Sequence, residues 1–357
     1  MWLRQKTGWI GVDLGGSSVK LAQLVWREGR LVIGSSAMAS RTKAWLPEGG
    51  ARQVSLAPAS SHAELQEAAL LGQSWQGKSA AAAVSMAVCD SYQSPFPTEV
   101  TDHTLPDQEF QKSALYPLQL RQVGWWPVSV HTKMPPHALV VTLPKSWSER
   151  ISTDLGQQRW SCRAIDVLPW CFSRAVGLMQ ADGKPALAPQ GLQAVIDWGY
   201  CKATCVLLRD GIPIMVRTLK DAGYSNLFDA VSSELGTTPL ETRQLLHSST
   251  VASGNSTNSP AEQVVRRIVD PLLKRFDREL LRTFEYWSSQ TRGEVIERTT
   301  LFGGGCALGG IAGRIAQLTN VPAEEWTFPR AKDNGAGIPA FMFGAALGMS
   351  ALAWEQS

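Results

Sequence analysis

A chain of 357 residues, 44% hydrophobic and 18% charged, has the length for two ordinary domains and the composition of a folded, soluble protein. A net charge of +3 spread over that length gives no basic stripe, so nucleic acid is not an expected partner. Six cysteines without a CxxC pair, five scattered histidines and no signal peptide exclude a disulfide framework and a zinc site, and lead us to expect reduced thiols in the cytoplasm.

The first readable element is "GWIGVDLGGSSVKLAQLVWREGRLVIGSS" (8–36). Trp9, Ile10 and Val12 lead to Asp13, then to Gly15-Gly16-Ser17-Ser18 and the alternating Val19, Leu21, Gln23 and Val25, with a second turn at Glu28-Gly29. This predicts strand, tight turn, strand. Gly15 and Gly16 permit positive φ, and exposed N–H groups with the Ser17 and Ser18 hydroxyls would attract an anion. An ordinary Gly-Ser hairpin fits the same residues, and both readings stand. The dinucleotide fingerprint does not fit, because it needs a helix where a strand follows; the P-loop spacing is missing too.

Further along comes "LQAVIDWGYCKATCVLLRDGIPIMVR" (192–217). Asp197 and Gly199 follow Asp13 and Gly15 at the same offset of 184 positions, again with a strand before, a strand after and a Gly turn at Asp210-Gly211. The repeat predicts two related halves; Cys201 and Cys205 are read as core residues of the second strand. The Ser/Asn/Gly-rich 247–262 reads as a flexible excursion. In 261–287, Val264, Ile268, Leu272, Phe276, Leu280, Phe284 and Trp287 keep a helical stripe, with a kink expected at Pro271. "TTLFGGGCALGGIAGRI" (299–315) predicts a strand, a Gly303-Gly304-Gly305 turn and a small-residue helix through Ala307, Ile311 and Ile315. The uncharged 337–354 is long enough to suggest a membrane span, but its Gly, Ala and Pro339 favour a buried, closely packed helix. The 14 tryptophans are read as marks of cores and contact surfaces.

Two aspartate-led hairpins and a glycine turn before a helix, in this order, resemble the actin-like ATPase superfamily, which includes actin and sugar kinases. The resemblance implies an α/β fold of two related domains around a nucleotide cleft, with ATP or ADP held from two sides. Carboxylates would hold Mg²⁺ through water, which suits a hard cation and a phosphoryl group that needs positioning. The residues so implied are Asp13, Gly15, Gly16, Ser17, Ser18 and Lys20, then Asp197, Gly199 and Lys202, then Gly303, Gly304 and Gly305, with Asp13 and Asp197 as the Mg²⁺ carboxylates.

"IGVDLGGSSVKLAQL" looks like the start of the PilM and MshI-like type IV pilus assembly proteins. Segments 105–130, 137–176 and 210–236 resemble that family's insertion, its next strand–helix–strand–helix and the strand and helix after its second turn. This implies a first domain of 1–85 completed by 164–193 and 337–357, a small α+β insertion at 86–163 and a second domain at 194–336. It also implies a scaffold at the cytoplasmic face of the inner membrane, peripheral to it through the N-terminal cytoplasmic peptide of a PilN-like partner, with self-association and at most a weak ATPase activity. Two departures count against turnover. Trp198 and Tyr200 flank Gly199, and Arg243 and Leu246 stand where the family's sugar-contacting Glu and Lys would fall. The rivals are a pseudo-ATPase without nucleotide and a ROK-like sugar kinase, which "DLGGSSVK" resembles but whose zinc cysteines are missing. An FtsA-like filament protein would need a C-terminal amphipathic helix, and none follows Trp354.

Overall fold

The computed structural model describes residues 7–45, 58–72, 74–95, 120–128, 137–179, 191–219, 221–248, 252, 259–328 and 339–355. Two five-stranded sheets share one topology. The first uses β1 (Ile10–Leu14), β2 (Ser18–Arg27), β3 (Arg30–Ser40), β4 (Ser79–Val84) and β8 (Ser161–Val167) in the order β3-β2-β1-β4-β8. The second uses β9 (Leu192–Trp198), β10 (Ala203–Arg209), β11 (Ile212–Leu219), β12 (Ile296–Phe302) and β13 (Ala323–Glu325) in the order β11-β10-β9-β12-β13. In each, two antiparallel pairings are followed by two parallel ones. The sequence repeat is therefore a structural repeat.

Helices cover the first sheet: α1 (His62–Leu71), α2 (Lys145–Gln157) and α3 (Leu168–Met179). The second sheet carries α4 (Tyr224–Leu235), α5 (Pro239–Ser248), α6 (Pro260–Gln290) and α7 (Ile311–Thr319). A third, antiparallel sheet, β5-β7-β6, comprises β5 (Asp90–Pro95), β6 (Arg121–Val128) and β7 (His137–Pro144). An insertion ending at 163 does not match these elements. β8 starts at Ser161 inside the first sheet, and α2 packs on α1 and β8. Most of the insertion-like segment 105–130 and most of the 247–262 excursion lie outside the described residues.

The apolar C-terminal segment is a buried helix. A three-ten turn (Ala340–Phe343) leads into α8 (Gly344–Ala351), whose residues 344–350 are all buried against β1, β2, β4 and α3. Among the described residues no helix is long and apolar enough to cross a membrane. Its small residues let backbones meet. A β-carbon at Gly11 of β1 would collide with the Ala346 carbonyl, and one at Gly348 with the Cys171 carbonyl of α3. Gly344 lies against the Phe302 ring, so α8 touches both halves.

Aromatic residues close the seam between the halves. Phe172 of α3 stacks on Phe302 at 4.6 Å between ring centroids, and Phe302 stacks on Trp326 at 5.5 Å. Trp326 Nε1 donates to the Ala175 carbonyl at 3.0 Å, and Ser173 Oγ to that of Gly211. The insertion joins through Trp126, which sits edge-on to Trp170 and donates to the Pro213 carbonyl at 2.6 Å.

Helix α6 runs unbroken through the exposed Pro271, but its buried face is shifted from the stripe read in the sequence. Val265, Val269 and Leu273 are buried where Val264, Ile268 and Leu272 were expected; Phe276, Leu280, Phe284 and Trp287 keep their places. Gln23 is also buried, on a strand enclosed on both faces, and its amide is satisfied by the Gly8 and Gln76 carbonyls and the Gln76 N–H. All six cysteines are free.

The close approach of α8 gives a direct test. Gly11→Ala places a methyl on the Ala346 carbonyl and should cost about 3 kcal/mol, the upper end for overpacking. Gly177→Ala on α3 meets nothing within 4 Å and should add about 0.5–1 kcal/mol, because glycine is a poor helix residue. Thermal melting of both variants beside the wild type checks the pair; equal shifts would contradict the packing argument.

Candidate functional site

The first turn is set by the β1–β2 register. Asp13 pairs across the ladder with Lys20, so their side chains lie on one face, and Lys20 Nζ donates to Asp13 Oδ2 at 2.7 Å. Lys20 is 8% exposed, a charge held inward by its partner. In the second hairpin the residue opposite Asp197 is Thr204, so the lysine has no counterpart there.

The parallel β9–β12 pairing brings Asp197 beside Phe302, and the chain then turns at Gly303, whose φ is +89°. A β-carbon at Gly303 would collide with Asp197 Oδ1. Asp197 thus lies under the third turn and faces Asp13 and Lys20. Burial and the Asp13 charge raise its carboxyl from 3.8 to about 7, and Lys20 partly offsets them. Asp13, Lys20, Asp197 and Gly303 are brought together at the meeting of the two halves.

The glycines of the two hairpins work differently from the sequence expectation. Positive φ occurs at Gly303 but at none of Gly15, Gly16 and Gly199. Their task is close approach. A β-carbon at Gly15 would stand 2.9 Å from the Ser18 carbonyl, and one at Gly199 2.9 Å from that of Lys202. At Gly16 it would collide with Cys201 Sγ, so the two turns touch. Ser18 is buried and Ser17 half-buried in the first turn, while Lys202 sits half-buried in the second, where burial raises the neighbouring Cys201 thiol to about 11 and the Lys202 charge partly offsets it. Cys201 lies in this turn and not on the strand, which begins at Ala203.

Glycines 304 and 305 open a three-ten turn (Gly304–Ala307), and the helix predicted directly after them begins only at Ile311. Gly305 packs under the Trp198 ring. Trp198 itself points into the second half, stacked on Phe276 at 4.4 Å and donating to the Ala222 carbonyl at 2.9 Å. Tyr200 turns towards α4 and α5, where it senses the charges of Asp229 and Arg243. Arg243 is exposed on α5 and Leu246 is fully buried, so no side chain at 246 reaches a ligand.

Two residues of this region carry no signal in the sequence. Trp45 has its main chain between the turns: its N–H donates to the Gly16 carbonyl at 2.5 Å, and its carbonyl accepts from Cys201 Sγ at 2.6 Å. Arg41 donates from its N–H to the Ser17 carbonyl at 2.9 Å and from Nε to the Gly15 carbonyl at 2.8 Å, with its guanidinium 4.2 Å from the Trp45 ring centre. All three carbonyls of the first turn thus face the 41–45 segment. The second turn is tied down as firmly. The Gly199 and Tyr200 carbonyls accept the Tyr224 and Ser225 N–H groups at the start of α4 at 3.0 and 2.9 Å. Among the described residues no group of three or more His, Cys, Asp or Glu is placed to hold a metal ion directly.

No family model and no curated protein matches the sequence. Solved structures do match. A chain of the PilM–PilN type IV pilus biogenesis complex aligns with a TM-score of 0.71 at 17% identity, over 98% of this chain and 99% of that one. The ethanolamine utilization protein EutJ of Carboxydothermus hydrogenoformans aligns with a TM-score of 0.54 at 12% identity, over 98% and 90%. At such identities the likeness is one of fold, and with the two repeated sheets meeting at paired turns it shows that this chain has the actin-like ATPase fold.

Proposed function

We propose that this protein is a cytoplasmic scaffold of a type IV pilus or related secretion machine. It holds the N-terminal cytoplasmic peptide of a PilN-like inner-membrane protein, and through that peptide it sits at the inner membrane. The observation that carries the reading is a groove of about 980 Å³ between the first sheet and the insertion. Its walls are β8 and β6, each the outermost described strand of its sheet. Gln122, Val123 and Gly124 of β6 are exposed along it, with Trp125, Trp170 and Arg174 also lining it. A strand edge offers unpaired main-chain groups to an extended peptide, and apolar and charged walls select its side chains. The fold likeness to the PilM–PilN complex supports the same class of partner.

The paired turns are, in this reading, a nucleotide site with little or no turnover. Asp13 and Asp197 act on one another's charge, with Lys20 bonded to Asp13, an arrangement that fits a water-bridged Mg²⁺. When bound, Mg²⁺ would supply charge neutralisation for the phosphates. Lys20 holds Asp13 in place, and Gly303 leaves room beside Asp197. Against efficient hydrolysis stand Trp45, spliced between the turns, and Leu246, buried where a sugar contact would lie. Nothing favours a sugar kinase over this reading.

Titration of the purified protein with the cytoplasmic N-terminal peptide of a PilN-like inner-membrane protein should show saturable binding. Val123→Arg, on the exposed lip of β6, should weaken that binding at least tenfold without moving the melting temperature. Absence of binding at high micromolar peptide would remove the scaffold reading.

Nucleotide is tested by melting in millimolar ATP and Mg²⁺. A ligand that binds only the native state at a hundredfold excess over its Kd stabilises by about 2.7 kcal/mol, and Asp13→Ala should lose the Mg²⁺-dependent part. Turnover should stay below about 1 s⁻¹, the low end for working enzymes. An unshifted wild-type melt would leave a scaffold without nucleotide.

The carboxylate pair also sets a pH dependence. Asp197 titrates near 3.8 when unfolded and near 7 when folded, so between these values the native state keeps a proton that the unfolded chain has lost. Stability therefore falls as pH rises through this window, and the whole penalty is present above it. Asp197→Asn removes the penalty. Its melting temperature should exceed that of the wild type by more at pH 8 than at pH 5, with about 2–4 °C for each ~1 kcal/mol relieved. The same offset at both pH values would contradict the pairing.

A further inference from the structure

The solvent face of α6 carries a charge pattern that neither the groove nor the turns use. Arg267, Lys274, Arg275, Arg278 and Arg282 are all exposed on it, and the steps 267, 271, 274, 278, 282 are the four- and three-residue spacings of one helix face. From Arg267 to Arg282 this ridge is about 22 Å long at the α-helical rise. Of the α6 carboxylates, only Glu279 bonds a cation of this ridge, Arg282. Asp270 pairs with Arg266, Asp277 with Arg314 at 2.6 Å, and Glu279 with Arg217 at 3.0 Å and Arg282 at 2.7 Å. Only Glu285 is an exposed acid on this helix. Arg267, Lys274, Arg275 and Arg278 make no ion pair with any described residue. Tyr286, 44% exposed, follows Arg282 by one turn.

The composition led to the expectation of no basic stripe, and the fold makes one. We propose that this ridge of α6 rests on an anionic phospholipid surface. Four of its five cations are arginines, whose planar forks donate two parallel bonds to a phosphate. A convex ridge has no cleft to grip the side chains of an acidic protein, whereas a charged plane demands contact along a line and nothing more. Single-stranded nucleic acid asks for aromatic rings interleaved with the cations, and the ridge between Arg267 and Arg282 has none exposed. Tyr286 at its end is an apolar ring with a polar tip, which suits the headgroup layer. The ridge belongs to the second half of the chain and the groove to the first, so the proposal stands whether or not the pilus reading does.

The test is co-sedimentation of the full chain with vesicles of phosphatidylcholine alone and with 30% phosphatidylglycerol. Binding is expected only to the anionic vesicles and should be lost in 1 M salt, where screening acts within about 3 Å. Each cation near such a surface contributes about a fivefold gain, so Lys274→Gln with Arg278→Gln should weaken binding about thirtyfold. Both positions are exposed, and an unchanged melting curve confirms that the variant is folded. The control pair Arg27→Gln with Lys145→Gln, exposed on the first half, removes the same charge and should change binding less than twofold. Equal binding to both vesicle types overturns the proposal, as does an equal loss in the control pair. Tighter binding to a duplex DNA, abolished by the same Lys274/Arg278 variant, would also overturn it and assign the ridge to nucleic acid.

Discussion

The arrangement of this protein depends on how closely α8 lies against β1. Gly11 admits the Ala346 carbonyl where any side chain would collide, and Gly348 admits that of Cys171. Two residues beyond Gly11 stands Asp13. At the other end of α8, Gly344 lies on the Phe302 ring, and Phe302 pairs with Asp197 across the second sheet. One short helix of small residues therefore fixes how far apart the two aspartates stand. Glycine and alanine bury little area each, so the helix gives position more than energy. The energy of the seam comes from the larger groups around it: Phe172, Phe302 and Trp326, stacked and with the indole N–H satisfied.

That geometry makes the electrostatics one-sided. The repeat supplies an aspartate to each half but a lysine to only one, because Thr204 occupies the place in the second hairpin that Lys20 holds in the first. Asp13 is neutralised by a partner 2.7 Å away, and Asp197 is left as the group that answers to a cation or a proton. The carbonyl sides of both turns are already committed, to Arg41 and Trp45 on one side and to the start of α4 on the other. What remains for a ligand is the N–H side of the turns and the carboxylate pair between them.

Much of this was legible in the sequence because the repeat is local and exact in spacing. An aspartate, one residue and a glycine, found again 184 positions on, marked both hairpins before any pairing was known. The reason for the glycines was not legible, because sequence shows that a side chain is absent without showing what comes near. Gly15, Gly16 and Gly199 serve close approach rather than left-handed backbone, and only the fold shows their neighbours. Arg41 and Trp45 were invisible for the same reason: their contacts are with the main chain of distant turns, which any residue type offers. The end of the insertion was misplaced because β8 belongs to the first sheet by pairing and not by any change in composition.

Charge shows best where a sum misleads. Helix α6 carries six basic and five acidic residues and is nearly neutral along its sequence. Folding separates the two signs. The apolar face from Val265 to Trp287 is buried against the second half, so every long cation must go to the flanks or the outside. The flanking acids then meet arginines from other elements, Asp277 with Arg314 of α7 and Glu279 with Arg217 of β11. Each such pair removes a negative charge from the exposed face without removing a positive one from it. The cations left at Arg267, Lys274, Arg275 and Arg278 are the remainder of that pairing, which is why a net charge of +3 gave no sign of them. Such a field is a property of the fold, and it acts on whatever surface the helix faces.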